Sequence, residues 1–533
     1  MKVMTEQRRG LSGYVSASAG TMSRRRVWFL RLRWVACSVL LSTILPPGTG
    51  IAAKTVRPIP AVLHVHSTWS TGDQTLDELA ARARGRGVQA VFLTENYLLR
   101  FEYGLPVLRN LLRYRVEFPS LSSTGLEAYL AAIHAINGRQ QDVLFIPGAE
   151  VTPHYYWTGS VLDGSLMNRD AQRNLHALGL YQSADYREIP MGLNPEGAPW
   201  GPGSFLLLSP ILLVIAGGRL LRLRRRRERF LQYVRVVEDR PWRTPGILCI
   251  GLGLLFLINN YPYRTPPVSI YDSTAGLHPH QAFIDYVNAR GGVAVWKLPD
   301  ARDYHEVEVV GLKAIVETQP YPEALLQTDN FTAMGGVYED NVRFIRPGAA
   351  WDELLGDFLA GKRTSPAWVV AESAYHGEGD AGKHLGDLQT LLLASAREPQ
   401  ALLRAIRDGR MYALWRTAET GLVLKDFRVT DRTGTTAEMG GQLAVCAGTP
   451  VEITAQFGTE KGTIVPVEAD LIRSGRLVST FRGETPLEIR WAEAPKGPEP
   501  FAFYRLLVRG PAPHQLTSNP IFVHWSLGTC SKT

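Results

Sequence analysis

The sequence predicts an α/β chain: a parallel sheet or barrel with helices outside, interrupted by an apolar two-helix hairpin and followed by a β-sandwich. Three observations carry this expectation. Strand-like apolar runs alternate with helix-periodic segments on both sides of the hairpin, over residues 54–200 and 264–418. Two apolar runs flank an Arg-rich link within 201–263. After residue 418 helix periodicity vanishes, and short β-rich runs broken by Gly, Pro and Asp fill 419–533.

A chain of 533 residues exceeds one ordinary core, so several domains are expected. The formal charge of +8 suggests nucleic acid only until it is located. Residues 1–53 hold eight Lys/Arg against one acid, and residues 219–243 hold ten Arg against three acids. Basicity therefore sits beside apolar segments and the remainder is mildly acidic. This is the charge pattern of membrane topology, and no nucleic-acid partner is expected. Cys37 and Cys249 fall in apolar segments, while Cys446 and Cys530 could pair in an oxidising compartment.

Residues 1–53 read as a signal sequence or an N-terminal anchor. A basic start, an apolar core from Trp34 to Leu45, then Pro46-Pro47 and small residues lead to cleavage near Ala52 or Ala53, or to retention as an anchor. Either version exports the rest of the chain.

The run AVLHVHSTWSTG (61–72) predicts a short buried strand with His64 and His66 two residues apart on one face, able to grip a divalent metal. TLDELAARARG then predicts a helix, with Leu76, Leu79, Ala80 and Ala83 at helical spacing, and VQAVFLT a strand ending in Glu95-Asn96. GLEAYLAAIHAI (125–136) is the next helix; DVLFIPGAEVT places Glu150 at another strand end, and RNLHALGL carries His176. GSFLLLSPILLVIAGGRLL (203–221) and TPGILCIGLGLLFLINNY (244–261) are each about 18 residues, or about 27 Å as helix, near the minimum for crossing a bilayer. A buried soluble hairpin is the alternative, but nine Arg in residues 222–243 argue for a cytoplasmic link with both flanking halves on the extracytoplasmic, periplasmic side. Beyond it, HPHQAFIDYVNARGG, WDELLGDFLAGKR and PQALLRAIRDG predict helices, VAVWKLP and GLKAIVE strands, and AWVVAESAYHGEG a strand leading to Glu372, Ser373 and His376.

This ordered set resembles the PHP (polymerase and histidinol phosphatase) superfamily over roughly 58–418. The resemblance implies a distorted (β/α)7 barrel with up to three divalent metals at the strand C-termini. His64 and His66 match its His-x-His opening, Glu150 its PGxE carboxylate, His176 the next metal histidine and His376 the late Ser-Asp-x-His histidine. NYLLRFEYGLPVLRNLL and FYRLLVRG…TSNPIFV look like the CehA/McbA branch of metallohydrolases. The chain departs at Thr71, Thr94-Glu95-Asn96, Leu298 and Ala374, where the family carries Asp, Thr-Asp-His, His and Asp. The resemblance then implies a divalent metal (Zn, Mn or Fe) in fewer than three ions, on His64, His66 and Glu150, with His176 and His376 nearby. Glu95 and His376 are the candidates for proton transfer.

Two functions are compatible with this reading. One is a membrane-tethered, metal-dependent hydrolase of a small-molecule phosphoester or related ester, with the lipid bilayer as its other partner. The other is a catalytically degenerate ectodomain that binds a ligand as sensor or scaffold.

Overall fold

The computed structural model describes residues 56–161, 163–197, 200–231, 234–309, 312–339, 342–494 and 500–526, with side chains of 224–241, 309 and 312 left aside. The leader over 1–53, with Cys37, and the C-terminal Cys530 lie outside the described residues. Cys446 is disulfide-bonded and Cys249 is free.

Eleven strands position the site: β1 (Arg57–Val65), β2 (Ala90–Leu93), β3 (Glu95–Asn96), β4 (Leu144–Ile146), β5 (Gly148–Val151), β6 (Leu175–Leu178), β7 (Val293–Trp296), β8 (Ala333–Val337), β9 (Trp368–Ala371), β10 (Leu388–Ala394) and β11 (Met411–Trp415). The helices packed around them are α1 (Leu76–Gly85), α2 (Leu126–Arg139), α3 (His278–Ala289), α4 (Ala350–Leu359) and α5 (Pro399–Arg407). In α1 the expected apolar stripe Leu76, Leu79, Ala80 and Ala83 is buried, and Thr75 with Glu78 forms a capping box that satisfies the first free amides.

β1 lies parallel to β2, which is parallel to β4, while β10 and β11 continue the sheet antiparallel beyond β1. A second sheet runs β9-β8-β7-β6-β5-β3. Thr94 and Pro147 each bend one continuous run, so that β2 passes into β3 and β4 into β5 across the two sheets. Beyond β9 the chain returns alongside β1: Ser373 N–H donates to Leu63 O, Tyr375 N–H to His64 O, and His66 N–H to Tyr375 O. The two sheets are thus joined by the chain bends at Thr94 and Pro147 and by the hydrogen bonds of residues 373–375 to β1.

The order is not wholly parallel as expected. β6 is antiparallel to both β5 and β7, because residues 152–174 bring the chain back to β6 without a crossover helix. Residues 303–318, expected to continue the βα alternation, instead form an antiparallel strand pair, Asp303–Val309 and Leu312–Thr318, which joins Met167–Arg169 and Tyr156–Thr158 in a small separate sheet.

Arg100–Gly104 and Arg113–Glu117 pair as a two-stranded ribbon. Period-two alternation gives the ribbon a charged face, with Arg100 opposite Glu117 and Glu102 opposite Arg115, and an apolar face, with Phe101 opposite Val116 and Tyr103 opposite Tyr114.

Two helices, Pro202–Arg222 and Arg243–Asn260, are long and apolar enough to cross a membrane. They pack together at glycines: a Cβ on Gly217 would meet Gly246 O at 2.6 Å, and one on Gly253 would meet Pro210 O at 2.9 Å. Leu206, Leu212, Ile247, Leu248 and Ile258 meanwhile face outward, the reverse of a water-soluble helix pair. The link between them is an antiparallel strand pair, Arg224–Leu231 with Val234–Pro241.

The C-terminal region is sheet-rich, as expected. Leu422–Asp431, Thr436–Glu438, Val451–Thr459 and Leu487–Glu493 form one sheet. The other is continuous with the first sheet through β11, which pairs with Gln515–Ser518. An apolar core including Phe427, Ile453, Phe457, Leu471 and Val508 serves this region. A buried pair joins it to α4: Arg505 Nε and Nη2 each donate to Asp352 at 2.7 Å.

Candidate metal centre

His64 ends the regular part of β1 with φ of 65°, at a register shift in its pairing with β2. Such a bulge re-aims side chains, so the pair converges through local distortion rather than plain alternation. The His64 and His66 rings lie 5.4 Å apart. Leu298 and Ala374, also at positive φ, flank the same site, a concentration of backbone strain common at functional positions.

Glu150 and His176 are directly opposed in the β5–β6 register, and Asn96 opposes Glu150 from β3. Glu150 uses its two oxygens differently. Oε1 accepts from Lys297 Nζ and Asn174 Nδ2, each at 2.5 Å. Oε2 faces the histidines, 3.2 Å from His64 Nε2, 3.1 Å from His66 Nε2 and 4.0 Å from His176 Nε2. On the other side of His64, Glu372 Oε1 is 3.0 Å from His176 Nδ1, and Oε2 is 3.8 Å from His64 Nδ1 while accepting from Leu298 N–H. Two donor groups result: His64, His66 and Glu150, and His64, His176 and Glu372.

These side chains are almost wholly buried, yet His64 Nδ1 and His176 Nε2 have no hydrogen-bond partner in the protein, and His66 Nε2 and Glu372 Oε1 meet only Glu150 and His176, off hydrogen-bond geometry. Each orphaned group costs about 1–3 kcal/mol. A cation in either donor group satisfies the atoms turned toward that group. Zinc takes imidazole nitrogen at about 2.0–2.1 Å, which sets tetrahedral donors about 3.3 Å apart. The 3.1 and 3.2 Å separations around Glu150 Oε2 fit that spacing. His64 carries one nitrogen toward each group, so as a neutral ligand it serves one ion at a time.

Burial holds the His66 imidazole down at about 3, against the pull of Glu150, so it is neutral at physiological pH. Burial also opposes a charge on His64, but Glu150 and Glu372 outweigh it and raise this imidazole above its ordinary value. Burial would raise Glu150 in turn, yet Lys297, His64 and His66 hold it well below the usual carboxylate range.

The structure brings four of the five expected ligands together: His64, His66, Glu150 and His176. The fifth, His376, stacks on the His66 ring at 4.2 Å and turns Nδ1 to Thr71 Oγ1 at 3.0 Å. Asn96 Nδ2 donates to the same hydroxyl at 3.0 Å. Asn96, Thr71 and His376 thus form a hydrogen-bonded relay beside the His66 ring.

Glu95 does not face the histidines. Its carboxylate accepts from Ser67 N–H at 3.0 Å, from the Ser67 hydroxyl at 2.5 Å and from the Ser70 hydroxyl. Ser70 Oγ is 3.3 Å from His66 Nδ1, so Glu95 reaches the centre only through this hydroxyl. Burial, outweighing these donors, pushes Glu95 up to about 7 from 4.5. An acid that binds its proton more tightly when folded favours the fold below pH 4.5 and loses that contribution as pH rises through about 7. Glu95→Gln has no such dependence. Its stability relative to the native chain should improve by about 3 kcal/mol between pH 4.5 and pH 8, read from urea midpoints. A pH-independent difference would contradict the burial of a titrating Glu95.

Glu372, Lys297 and Asn174 were not anticipated as site residues. One signal was available for Glu372, the Gly335-Gly336 pair inside a strand, since interior glycines mark close approach. A Cβ on Gly335 would meet Glu372 Oε2 at 2.4 Å. Gly335→Ala should therefore displace this carboxylate and weaken metal affinity about 10-fold, measured against a competing chelator. Unchanged affinity would remove Glu372 from the centre.

No family model matches the chain, and no curated protein matches it. Among solved structures it is similar to a two-domain protein of Bacteroides vulgatus containing a predicted PHP-like metal-dependent phosphoesterase, at 11% identity and a TM-score of 0.33, covering 85% of this chain and 90% of that one. It is also similar to a protein of Bifidobacterium adolescentis described as a metal-dependent phosphoesterase, at 13% identity and a TM-score of 0.24, covering 61% of this chain and 90% of that one. Both scores are low, and what the centre does is read from its own side chains.

Proposed function

We propose that the chain is a membrane-tethered, metal-dependent hydrolase of phosphoesters, built on a distorted seven-stranded barrel whose insertion, residues 201–263, spans the bilayer. The observation that carries this reading is the convergence of buried imidazole and carboxylate donors, among which His64 Nδ1 and His176 Nε2 have no hydrogen-bond partner in the protein. His64, His66 and Glu150 would hold one divalent ion, with His176 and Glu372 as the adjoining donors. The ion, when bound, polarises a phosphoryl oxygen and acidifies water. Hydrolysis forms a P–O bond to water oxygen and breaks the P–O bond to the leaving alcohol, which takes up a proton. Lys297, held by Glu150 and Gln172, supplies a cation for phosphoryl oxygen. His376 is half-buried with Nδ1 anchored on Thr71, which leaves Nε2 to exchange the proton with the leaving alcohol. Glu95 acts as a positioning residue for His66 through Ser70.

A second reading has its own observation. The ammonium of Lys297 on Glu150 Oε1 already neutralises this carboxylate, as a ligand-binding centre without turnover would need. An aryl phosphodiester assay of the full chain loaded in turn with Zn²⁺, Mn²⁺ and Fe²⁺ separates the two. The hydrolase reading expects turnover that His376→Ala lowers on the order of 100-fold while metal content is kept. Stoichiometric metal without turnover of any phosphoester would favour the binding reading.

A further inference from the structure

Beside the centre lies an apolar groove of about 580 Å³, within the range of small-molecule pockets of about 300–1,000 Å³. It is lined by the apolar face of the 100–117 ribbon, with Phe101, Tyr103 and Val116, and by Trp157 and Val316. Two observations say what belongs there. At one side the groove is lined by Gln172, whose Oε1 accepts from Lys297 Nζ at 3.1 Å, the ammonium that contacts Glu150. The groove is therefore two hydrogen bonds from the candidate metal ligands.

At the other side, the ribbon's tip is fastened to the end of an apolar helix. Asn259 Oδ1 accepts from Asn110 N–H at 3.1 Å, and Asn110 Nδ2 donates to Asn259 O at 2.6 Å. The tip itself exposes Leu105, Val107 and Leu112, with Val107 at 73%. An outward-facing apolar helix pair, an apolar loop tied to its end, an apolar groove and a polar centre thus adjoin one another in series.

We propose that the groove receives the acyl or alkyl chain of a lipid phosphoester drawn from the bilayer, with its phosphoryl group directed to Lys297 and the metal centre. The substrate class rests on the hydrolase reading; occupancy of the groove by a lipid chain does not. Burying a chain of this kind contributes about 0.8 kcal/mol per CH₂, which favours a long tail over a soluble ester. Glu102, Asp303 and Lys313 also line the groove, so the hydrocarbon is left to the Phe101, Val116, Trp157 and Val316 side chains.

The test uses the full chain in phosphatidylcholine nanodiscs containing a phospholipid with a diazirine in its acyl chain. After irradiation, adducts are mapped by peptide mass spectrometry. Adducts are expected on residues 99–118 and 157–166 as well as on the helices within 202–260. Val116→Arg, or Val316→Glu if the first variant does not fold, should reduce the groove adducts at least tenfold and spare those on the helices. Adducts confined to the helices, or groove adducts indifferent to a folded charged variant, would overturn the proposal. Groove adducts in a chain that cleaves no phosphoester would keep the lipid site and sink the hydrolase reading. Turnover of a soluble phosphodiester without groove adducts would do the reverse.

Discussion

His66→Ala should lower affinity for the bound divalent ion on the order of 100-fold or more and abolish phosphodiester turnover, with little effect on folding. The expectation comes from how His66 is held. Its Nε2 is buried 3.1 Å from Glu150 Oε2 without a hydrogen bond, while Nδ1 faces Ser70. Removing groups that merely orient ligands already costs about 10–100-fold, so loss of a ligand must cost at least that much. Folding should survive, because Glu150 keeps Lys297 and Asn174 on its other oxygen and an orphaned nitrogen disappears. Isothermal titration with Zn²⁺ and thermal unfolding of the metal-free variant check both halves. Affinity within threefold of the native chain would exclude His66 as a ligand.

Asp352→Ala should destabilise the chain by about 3–5 kcal/mol, far beyond the effect of an ordinary surface ion pair. Arg505 is 0% exposed, and its guanidinium is forked onto Asp352, bonded to Ile345 O at 2.9 Å and stacked over Trp351. Removing the carboxylate leaves a buried cation without its counter-ion. Arg505→Met combined with Asp352→Leu should recover most of the loss, since apolar groups of similar volume need no partner. Denaturant unfolding of the single and double variants measures the difference. A loss below about 1 kcal/mol in the single variant would mean that water reaches Arg505.

Where polar residues interrupt apolar strands, the sequence was informative. His64, His66, Glu150 and His176 stand out because a buried strand otherwise has no use for them, and α1 was readable from its stripe and cap. The bulge at His64 was not readable, since it arises from the returning 373–375 segment bonding to Leu63 and His64 from far along the chain. Strand β8 escaped because Gly335 and Gly336 lower strand propensity, and their purpose, room for Glu372 and Val369, exists only in three dimensions. Lys297 was hidden by register: the resemblance to the PHP superfamily singles out Leu298, while the neighbouring lysine reaches Glu150. The antiparallel setting of β6 and the small sheet around Leu312–Thr318 depend on tertiary pairing that local periodicity does not encode.

His64 and His66 from one strand and Glu150 from another are proposed to bind a single divalent ion. X-ray absorption at the metal edge of the purified, metal-loaded full chain tests it most directly. The expected spectrum has two or three imidazole nitrogens at about 2.0–2.1 Å with oxygen completing the shell. A stoichiometric ion bound by oxygen alone, or no stoichiometric ion at all, would contradict it.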